Sequence, residues 1–406
     1  MRDRALRAIA ECRQIATMTE EPDRITRRFL TPPMQQVHAH LRARMQALGM
    51  SVRVDAAGNL RGLWRPEGAS GRLLLGSHVD TVPDAGAFDG VLGVTLALEW
   101  VGIAQELNLP LAIEVIAFSE EEGGRYGVPF LGSRAVAGRF DPALLTLPDA
   151  EGIPMEAAMR AFGLDPLRIA EAAMDADAIA FVEIHIEQGP VLEAEGLRVA
   201  AVTSIVGQTR LNLTFAGQAN HAGTTPMLLR RDALAASAEW ITAVEALAQN
   251  TEDLVATVGR ISVEPNAGNV VPGRAQVSLD VRHARDAVRV SAVEELVARA
   301  GAIAAARGLT LERTDRLDQP AVPMDERLTA FLTDAIEAAG LPAKTMPSGA
   351  GHDAMVMATR VPTAMLFLRS PGGISHHPSE TVLVEDVEAA LQVGSEFLLR
   401  LASELG

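Results

Sequence analysis

The chain of 406 residues carries a single cysteine, Cys12. No intrachain disulfide can form, which excludes a disulfide-stapled secreted scaffold and the cysteine-rich zinc modules. Any metal must therefore be held by histidines and carboxylates. Aromatic residues are scarce, 4% with one Tyr and three Trp, too few for a platform on which nucleic-acid bases stack. Cations are outnumbered, 36 Lys and Arg against 52 Asp and Glu, for a net charge of −16. That balance opposes binding to phosphate backbones or anionic membranes. No run of about 18 apolar residues occurs, and no signal-type segment follows Met1-Arg2-Asp3-Arg4. The expectation is a soluble cytoplasmic protein with neither nucleic acid nor membrane as partner.

What the chain has is core. Hydrophobic residues make up 48%, and the length points to two or three domains. Residues 1–50 read as helical, with Gly49 stopping the second helix after 41–48. Residues 52–54 and 60–63 flank Ala56-Ala57-Gly58-Asn59 as a hairpin. Apolar strands are expected at 73–76, 111–118, 179–186 and 362–368, with a helix over 91–107 behind Asp89-Gly90. Strands separated by helices predict an α/β fold with a mainly parallel sheet. Between 209 and 322 the order changes to strand 209–215, helix 228–248, strands 254–263 and 275–282, helix 287–306 and strand 309–313. That is a ferredoxin-like β-α-β-β-α-β unit. It interrupts the larger domain, so the predicted division is 1–208 plus 323–406 against 209–322. Residues 141–178 read as a helical insertion without legible chemistry.

Four histidine and carboxylate clusters sit at strand ends. Gly76-Ser77-His78-Val79-Asp80 follows the strand at 73–75, and Asp89 comes eleven residues after His78. Side chains at the carboxyl ends of parallel strands face the crevice where α/β sheets bind ligands. Asp80 is placed to accept the second ring N–H of His78. Ser119-Glu120-Glu121-Glu122-Gly123 follows the strand at 111–118. Three adjacent carboxylates repel one another unless a cation sits among them. In Glu183-Ile184-His185-Ile186-Glu187, period two puts His185 on one face with Glu183 and Glu187. Gly372-Gly373-Ile374-Ser375-His376-His377-Pro378-Ser379-Glu380 presents histidine after the last strand. Taken singly these read as a core histidine in a turn, a solvated acidic loop, a polar strand face and a surface turn. Taken together they fit Zn²⁺, Mn²⁺ or another divalent first-row ion. The count suits two metals that share a carboxylate.

These residues resemble the dinuclear zinc aminoacylase and dipeptidase superfamily over nearly the whole chain. The runs at 183–190, Gln218-Ala219-Asn220-His221-Ala222-Gly223-Thr224-Thr225-Pro226-Met227 and 373–380 resemble its ureido-hydrolysing branch. That branch holds allantoate amidohydrolase, N-carbamoyl-L-amino-acid hydrolase and β-ureidopropionase. The resemblance implies two divalent ions, zinc first, with manganese or another first-row metal as the alternative. Asp89 would bridge them, with His78 and His185 completing one site and Glu122 and His376 the other. Motif alignment alone chooses His376 over His377. Glu121 would be the general base and Asp80 the partner of His78. His221 would be offered to a partner subunit's site as the oxyanion donor, which implies a homodimer through the small lid domain. The helix at 228–248 and the strand edge at 209–215 are the candidate interface. Asn269 and Arg282 would clamp a substrate carboxylate, against the plain reading of Arg282 as paired with Asp280 or Asp286. Gly349, Gly351 and His352 fall in a loop, 348–353, that would line the substrate. His38, His40 and His283 are left to packing or surface. The implied reaction is hydrolysis of a linear ureido C–N bond with release of ammonia and carbon dioxide, allantoate slightly ahead of N-carbamoyl-L-amino acids. A peptidase or aminoacylase of the superfamily, or a non-catalytic ligand-binding relative, are the other readings.

Overall fold

The computed structural model describes residues 1–69 and 71–405. The chain divides into two compact units, Met1–Thr203 with Met324–Gly406, and Ser204–Pro323.

In the first unit the strands are β1 (Ser51–Val54), β2 (Leu60–Trp64), β3 (Arg72–His78), β4 (Ala112–Phe118), β5 (Ala178–Ile186) and β6 (Val199–Ile205). The second unit contributes β7 (Gly207–Ala216), β8 (Asn220–His221), β9 (Val255–Thr257), β10 (Ile261–Glu264), β11 (Val270–Val271), β12 (Arg274–His283), β13 (Thr310–Gln319) and β14 (Val322–Pro323). On its return the chain forms β15 (Thr345–Ser348) and β16 (Thr363–Leu368). The large sheet runs β1-β2-β4-β3-β5-β16-β6, with β15 also on β6. Its centre is parallel, β4 on β3, β3 on β5 and β5 on β16, and its flanks are antiparallel. β3 and β4 are buried along their whole length, as a sheet covered on both faces requires. The helix Val91–Glu106 is apolar nearly all round and fully enclosed as far as Ala104. It packs against the helices Arg2–Ala16 and Val384–Leu405, with Trp100 and Phe397 at 6.0 Å. Against that apolar helix stands one buried carboxylate, Glu99, held by Arg4, Arg7 and Arg44. It ties the amino-terminal helices down by three charge-assisted contacts.

Several expectations need correction. The first 50 residues form two helices, Arg2–Ala16 and Pro32–Ala47, the second ending before Gly49 as expected, but the stretch between them is irregular and not helical. The insertion at 141–178 holds one α-helix, Met155–Phe162, between two short 3-10 segments. Each short segment begins at a proline behind an aspartate that accepts a backbone N–H, Asp141 and Asp165. Such caps start a turn that the sequence does not prolong.

His38 lies buried on Phe162, ring centroids 5.6 Å apart, so it belongs to packing. Burial pushes its imidazole down to about 4. The unfolded ring takes up its proton near 6.5 and the folded ring only near 4, so folding stability falls as pH drops between those values. A shift of that size corresponds to about 3 kcal/mol at most. We expect His38→Leu to flatten the pH dependence of the urea midpoint between pH 7 and pH 4 relative to the parent. An unchanged dependence would show that His38 takes up its proton equally readily in the folded and unfolded protein.

The second unit is an antiparallel sheet in the order β10-β12-β7-β13, with β9 also on β12. Counting the β9 and β10 stretch as one strand, this is the ferredoxin-like order. The strand expected at 254–263 is broken in two around Gly259. β12 alternates buried and half-buried residues along its length. Ala275, Val277, Leu279 and Val281 join Leu211, Leu213, Phe215, Trp240 and Leu296 in a separate core. The helix expected from 228 starts only at Ala233, behind Asp232, whose carboxylate accepts the Ala235 amide. Met227–Leu229 is instead a 3-10 turn.

Candidate metal centre

The sheet delivers the side chains. His78 is the last residue of β3, and Glu120, Glu121 and Glu122 follow the end of β4. His185 is the penultimate residue of β5, and His376 comes from the loop after β16. Asp89 precedes the long helix at Gly90, where the helix dipole favours an anion. Gly90 stands at φ +66°, and a Cβ there would lie 2.5 Å from the His78 ring. Only glycine lets the helix start this close to the imidazole.

Asp89 is the hub. Its Oδ1 lies 3.7 Å from His78 Nε2 and 3.2 Å from His185 Nε2. Its Oδ2 lies 3.1 Å from His376 Nε2, which is itself 3.3 Å from Glu122 Oε1. Donor atoms of His78, Asp89 and His185 fall within 4.8 Å of one another, as do those of Asp89, Glu122 and His376, and of His78, Glu121 and Glu122. His377 is exposed, its Nδ1 accepting the Ser379 amide. The structure therefore brings His376 to the cluster and leaves His377 outside it.

The tautomers agree with metal ligation. His78 Nδ1 donates to the Asp80 carbonyl at 3.0 Å, and His185 Nδ1 donates to the Ile186 carbonyl at 2.9 Å. Since a carbonyl only accepts, both rings carry their proton on Nδ1 and turn the Nε2 lone pair toward Asp89. His185 Nε2 and Asp89 Oδ1 are buried without a hydrogen-bond partner, an arrangement that costs free energy unless a cation joins them. The electrostatics point the same way. Hydrogen bonds to Asp89 and Glu122 push the His376 imidazole up to about 10, so the cluster draws positive charge to itself. Burial would raise the Asp89 carboxyl, but His376 and His78 hold it well below the usual range. Burial, reinforced by Glu122, Asp353 and Asp80, pushes the Glu121 carboxyl well up against the opposing pull of His78. The residues present fit a divalent cation.

Asp80 acts differently from the sequence reading. Its carboxylate is 3.6 Å from His78 Nδ1, and the ring N–H goes to the Asp80 carbonyl instead. The carboxylate accepts the backbone N–H groups of Glu121, at 3.0 and 3.1 Å, and Glu122, at 3.1 Å. Asp80 thus locks the β4 turn that aims both glutamates. Glu187 is likewise not a companion of His185: it caps the short helix after β5 through the Val191 and Leu192 amides. Glu183 does share the His185 face, buried between the Ser77 hydroxyl and the Ala354 amide, and burial raises its carboxyl to about 7.

Of the 348–353 loop, His352 reaches the cluster. It is buried, hydrogen-bonded at 2.8 Å to Ser348 Oγ, with its ring 4.4 Å from that of His185. Gly351 lies against Phe130, and Gly349 has open space where a side chain would stand.

Three residues quoted in motifs but given no role frame Asp89. Gln188 Nε2 donates to Asp89 Oδ2 at 3.1 Å. Ser375 Oγ lies 3.3 Å from the same oxygen and donates to Glu380 Oε2 at 3.0 Å. Glu380 Oε1 accepts the Phe88 and Asp89 amides. The signal was their place inside the 183–190 and 373–380 runs.

The remaining candidates lie in the second unit. His221 pairs with Val270 across β8 and β11, and the Ala222 amide donates to the Asn269 carbonyl, so His221 and Asn269 are neighbours. Arg282 is not beside them. It faces Gln208 and Val255 across the sheet, eight residues along β12 from Arg274, a rise of about 27 Å. Its guanidinium binds Asp280 on the same strand face.

The chain matches the model of the peptidase family M20/M25/M40 over residues 74–402. It is 40% identical over 376 residues to an N-carbamoyl-L-amino acid amidohydrolase of Geobacillus stearothermophilus, covering 91% of both chains. It is 37% identical over 385 residues to the allantoate amidohydrolase of Escherichia coli, covering 93% of both. A solved amidase of the hydantoinase/carbamoylase family from Burkholderia multivorans superimposes with a TM-score of 0.92 at 31% identity, covering 98% of both chains.

Proposed function

Since the chain belongs to the peptidase family M20/M25/M40, we propose that it is a metal-dependent amidohydrolase acting on a linear ureido C–N bond, that of allantoate or an N-carbamoyl-L-amino acid. The observation that carries hydrolysis is Asp89 shared by two donor triplets with Glu121 beside them. The ureido substrate rests on the activities named for the relatives at 37–40% identity.

The residues divide the work. His78, Asp89 and His185 would hold one ion, and Asp89, Glu122 and His376 a second, with zinc the first choice for an imidazole and carboxylate set. Such ions supply Lewis acidity and make water a nucleophile near neutral pH. Glu121 takes a proton from the attacking water and returns it to the leaving nitrogen. Its raised proton affinity, set by burial, suits a group that must accept that proton. The carbonyl carbon gains the water oxygen, the C–N bond breaks to release ammonia, and the carbamate left behind loses carbon dioxide. His221 donates to the developing oxyanion, while Arg282 and Asn269 bind the substrate carboxylate, Arg282 in bidentate fashion. Asn269 lies beyond the Arg274 end of β12 and Arg282 near its other end, too far apart to grip one carboxylate from a single chain. We therefore assign His221 and Asn269 to the site of a second copy and Arg282 to the site of its own, in a homodimer formed through the second unit.

The assignment to a ureido hydrolase is tested by ammonia release from the metal-loaded protein on allantoate, several N-carbamoyl-L-amino acids, N-carbamoyl-β-alanine and a dipeptide. Release from one or more ureido acids, faster than dipeptide cleavage, is expected; dipeptide cleavage alone would move the chain to the peptidases. For the dimer, mixing His221→Ala with Glu121→Gln, each nearly inactive alone, should restore about a quarter of parental activity, because shared sites obey random subunit pairing. No recovery on mixing would place His221 in its own subunit's site.

A further inference from the structure

His221 is tautomerically the reverse of the ligand histidines. Its Nδ1 accepts the Gly223 amide at 3.0 Å and the Thr224 amide at 3.2 Å. Backbone amides only donate, so Nδ1 carries no proton and the neutral ring carries it on Nε2. His78 and His185 offer lone pairs from Nε2; His221 offers an N–H. The main chain of His221 is fixed as well: its amide donates to Asn220 Oδ1, and its carbonyl accepts the Thr225 amide and hydroxyl. A Cβ on Gly223 would stand 3.2 Å from His221 Cε1, so a side chain there would press on the folded-back ring. One cation closes the turn. Arg230 Nη2 donates to the Ala222 carbonyl at 2.5 Å and Nε to the Thr225 carbonyl at 3.1 Å. These two carbonyls flank the Gly223 and Thr224 amides that hold the ring. The guanidinium fork spans both ends of the turn, which a lysine ammonium cannot do with the same geometry.

We infer that Arg230 is a positioning residue for the reaction: by tying the Ala222 and Thr225 carbonyls it holds the turn whose amides fix His221 as an Nε2–H donor. The inference rests on the assignment of His221 as the donor to the oxyanion. A neutral donor set in place beforehand needs no proton uptake and no reorganisation when charge develops. Losing the tie lets the ring rotate and exchange tautomers, and a misplaced group of this kind costs up to about a hundredfold in rate.

The test uses the full-length, metal-loaded protein labelled with ¹⁵N-histidine. Spectra are recorded above the imidazole pKa, and the His221 signals are identified by their loss in His221→Asn. In the parent, His221 should show a single tautomer with the proton on Nε2. In Arg230→Met it should show both tautomers, with kcat on the preferred ureido substrate lowered ten- to a hundredfold and KM within about twofold. Arg230→Lys should fall between. If Arg230→Met does not fold, Arg230→Gln, whose shorter amide cannot span both carbonyls, carries the same expectations. A pure Nε2–H tautomer in the variant overturns the inference, whatever the activity. Mixed tautomers with unchanged kcat would keep the Arg230 tie but remove its catalytic consequence, overturning the inference through the donor role of His221 while leaving ureido hydrolysis standing. Absence of ureido hydrolysis in the parent is a separate result, and it strikes the proposed function itself.

Discussion

Glu121→Gln should bind metal as the parent does and lose about three orders of magnitude in kcat, within the range general acid–base groups contribute. The substitution keeps volume and shape. It also keeps the scaffold, because Asp80 holds residue 121 through its backbone amide, which glutamine retains. What disappears is a buried carboxyl whose proton affinity burial has raised well above the ordinary value. Glutamine can donate or accept a hydrogen bond but cannot ferry a proton. Elemental analysis and steady-state kinetics on the same preparation settle the matter. A variant with intact metal content and kcat within tenfold of the parent would remove Glu121 from the mechanism and turn attention to Glu183, the nearby buried carboxyl raised to about 7.

Asp89→Ala should abolish both metal binding and turnover. Among the described residues no other belongs to both the His78, His185 set and the Glu122, His376 set, so its loss strips a donor from each and leaves two. The cluster also loses its central anion, around which three imidazoles converge within 3.7 Å. A ligand lost from both sites exceeds the ten- to hundredfold typical of outer partners, so affinity for each ion should fall by at least about a hundredfold. Competition with a chromophoric chelator measures this directly. One ion retained at parental affinity would mean that Asp89 serves a single site and that the sharing is wrong.

The chemistry was legible where it follows from chain direction. Strand ends in a parallel sheet converge on one edge, so His78, the 120–122 glutamates and His185 could be gathered from their positions after apolar runs. The fold of the second unit was legible because its alternation is strict, as β12 shows. Illegible features depend on contacts made across long separations. That the Asp80 carboxylate takes the Glu121 and Glu122 amides requires knowing how close the β3 and β4 turns lie. That Gln188, Ser375 and Glu380 frame Asp89 requires three loops far apart in sequence. The choice of His376 over His377 turns on a left-handed residue, His376 at φ +56°, which adjacent histidines do not announce. The separation of Asn269 from Arg282 was only partly countable: β12 joins Arg274 to Arg282, but Pro272 and Gly273 break the chain between it and β11, and the clamp resemblance carried no direction along it. Helix starts were misplaced where a short polar cap, Asp232, overrides an apolar run that begins earlier.

In the proposed reaction the Asp89-centred cluster would hold two ions that power ureido hydrolysis. The most direct measurement titrates chelator-treated protein with zinc or manganese while following ammonia release from its preferred ureido acid. No release is expected without metal, and activity should rise to a plateau at two ions bound per chain. Full activity in the chelated protein, or two ions bound with no ureido compound hydrolysed, would contradict it.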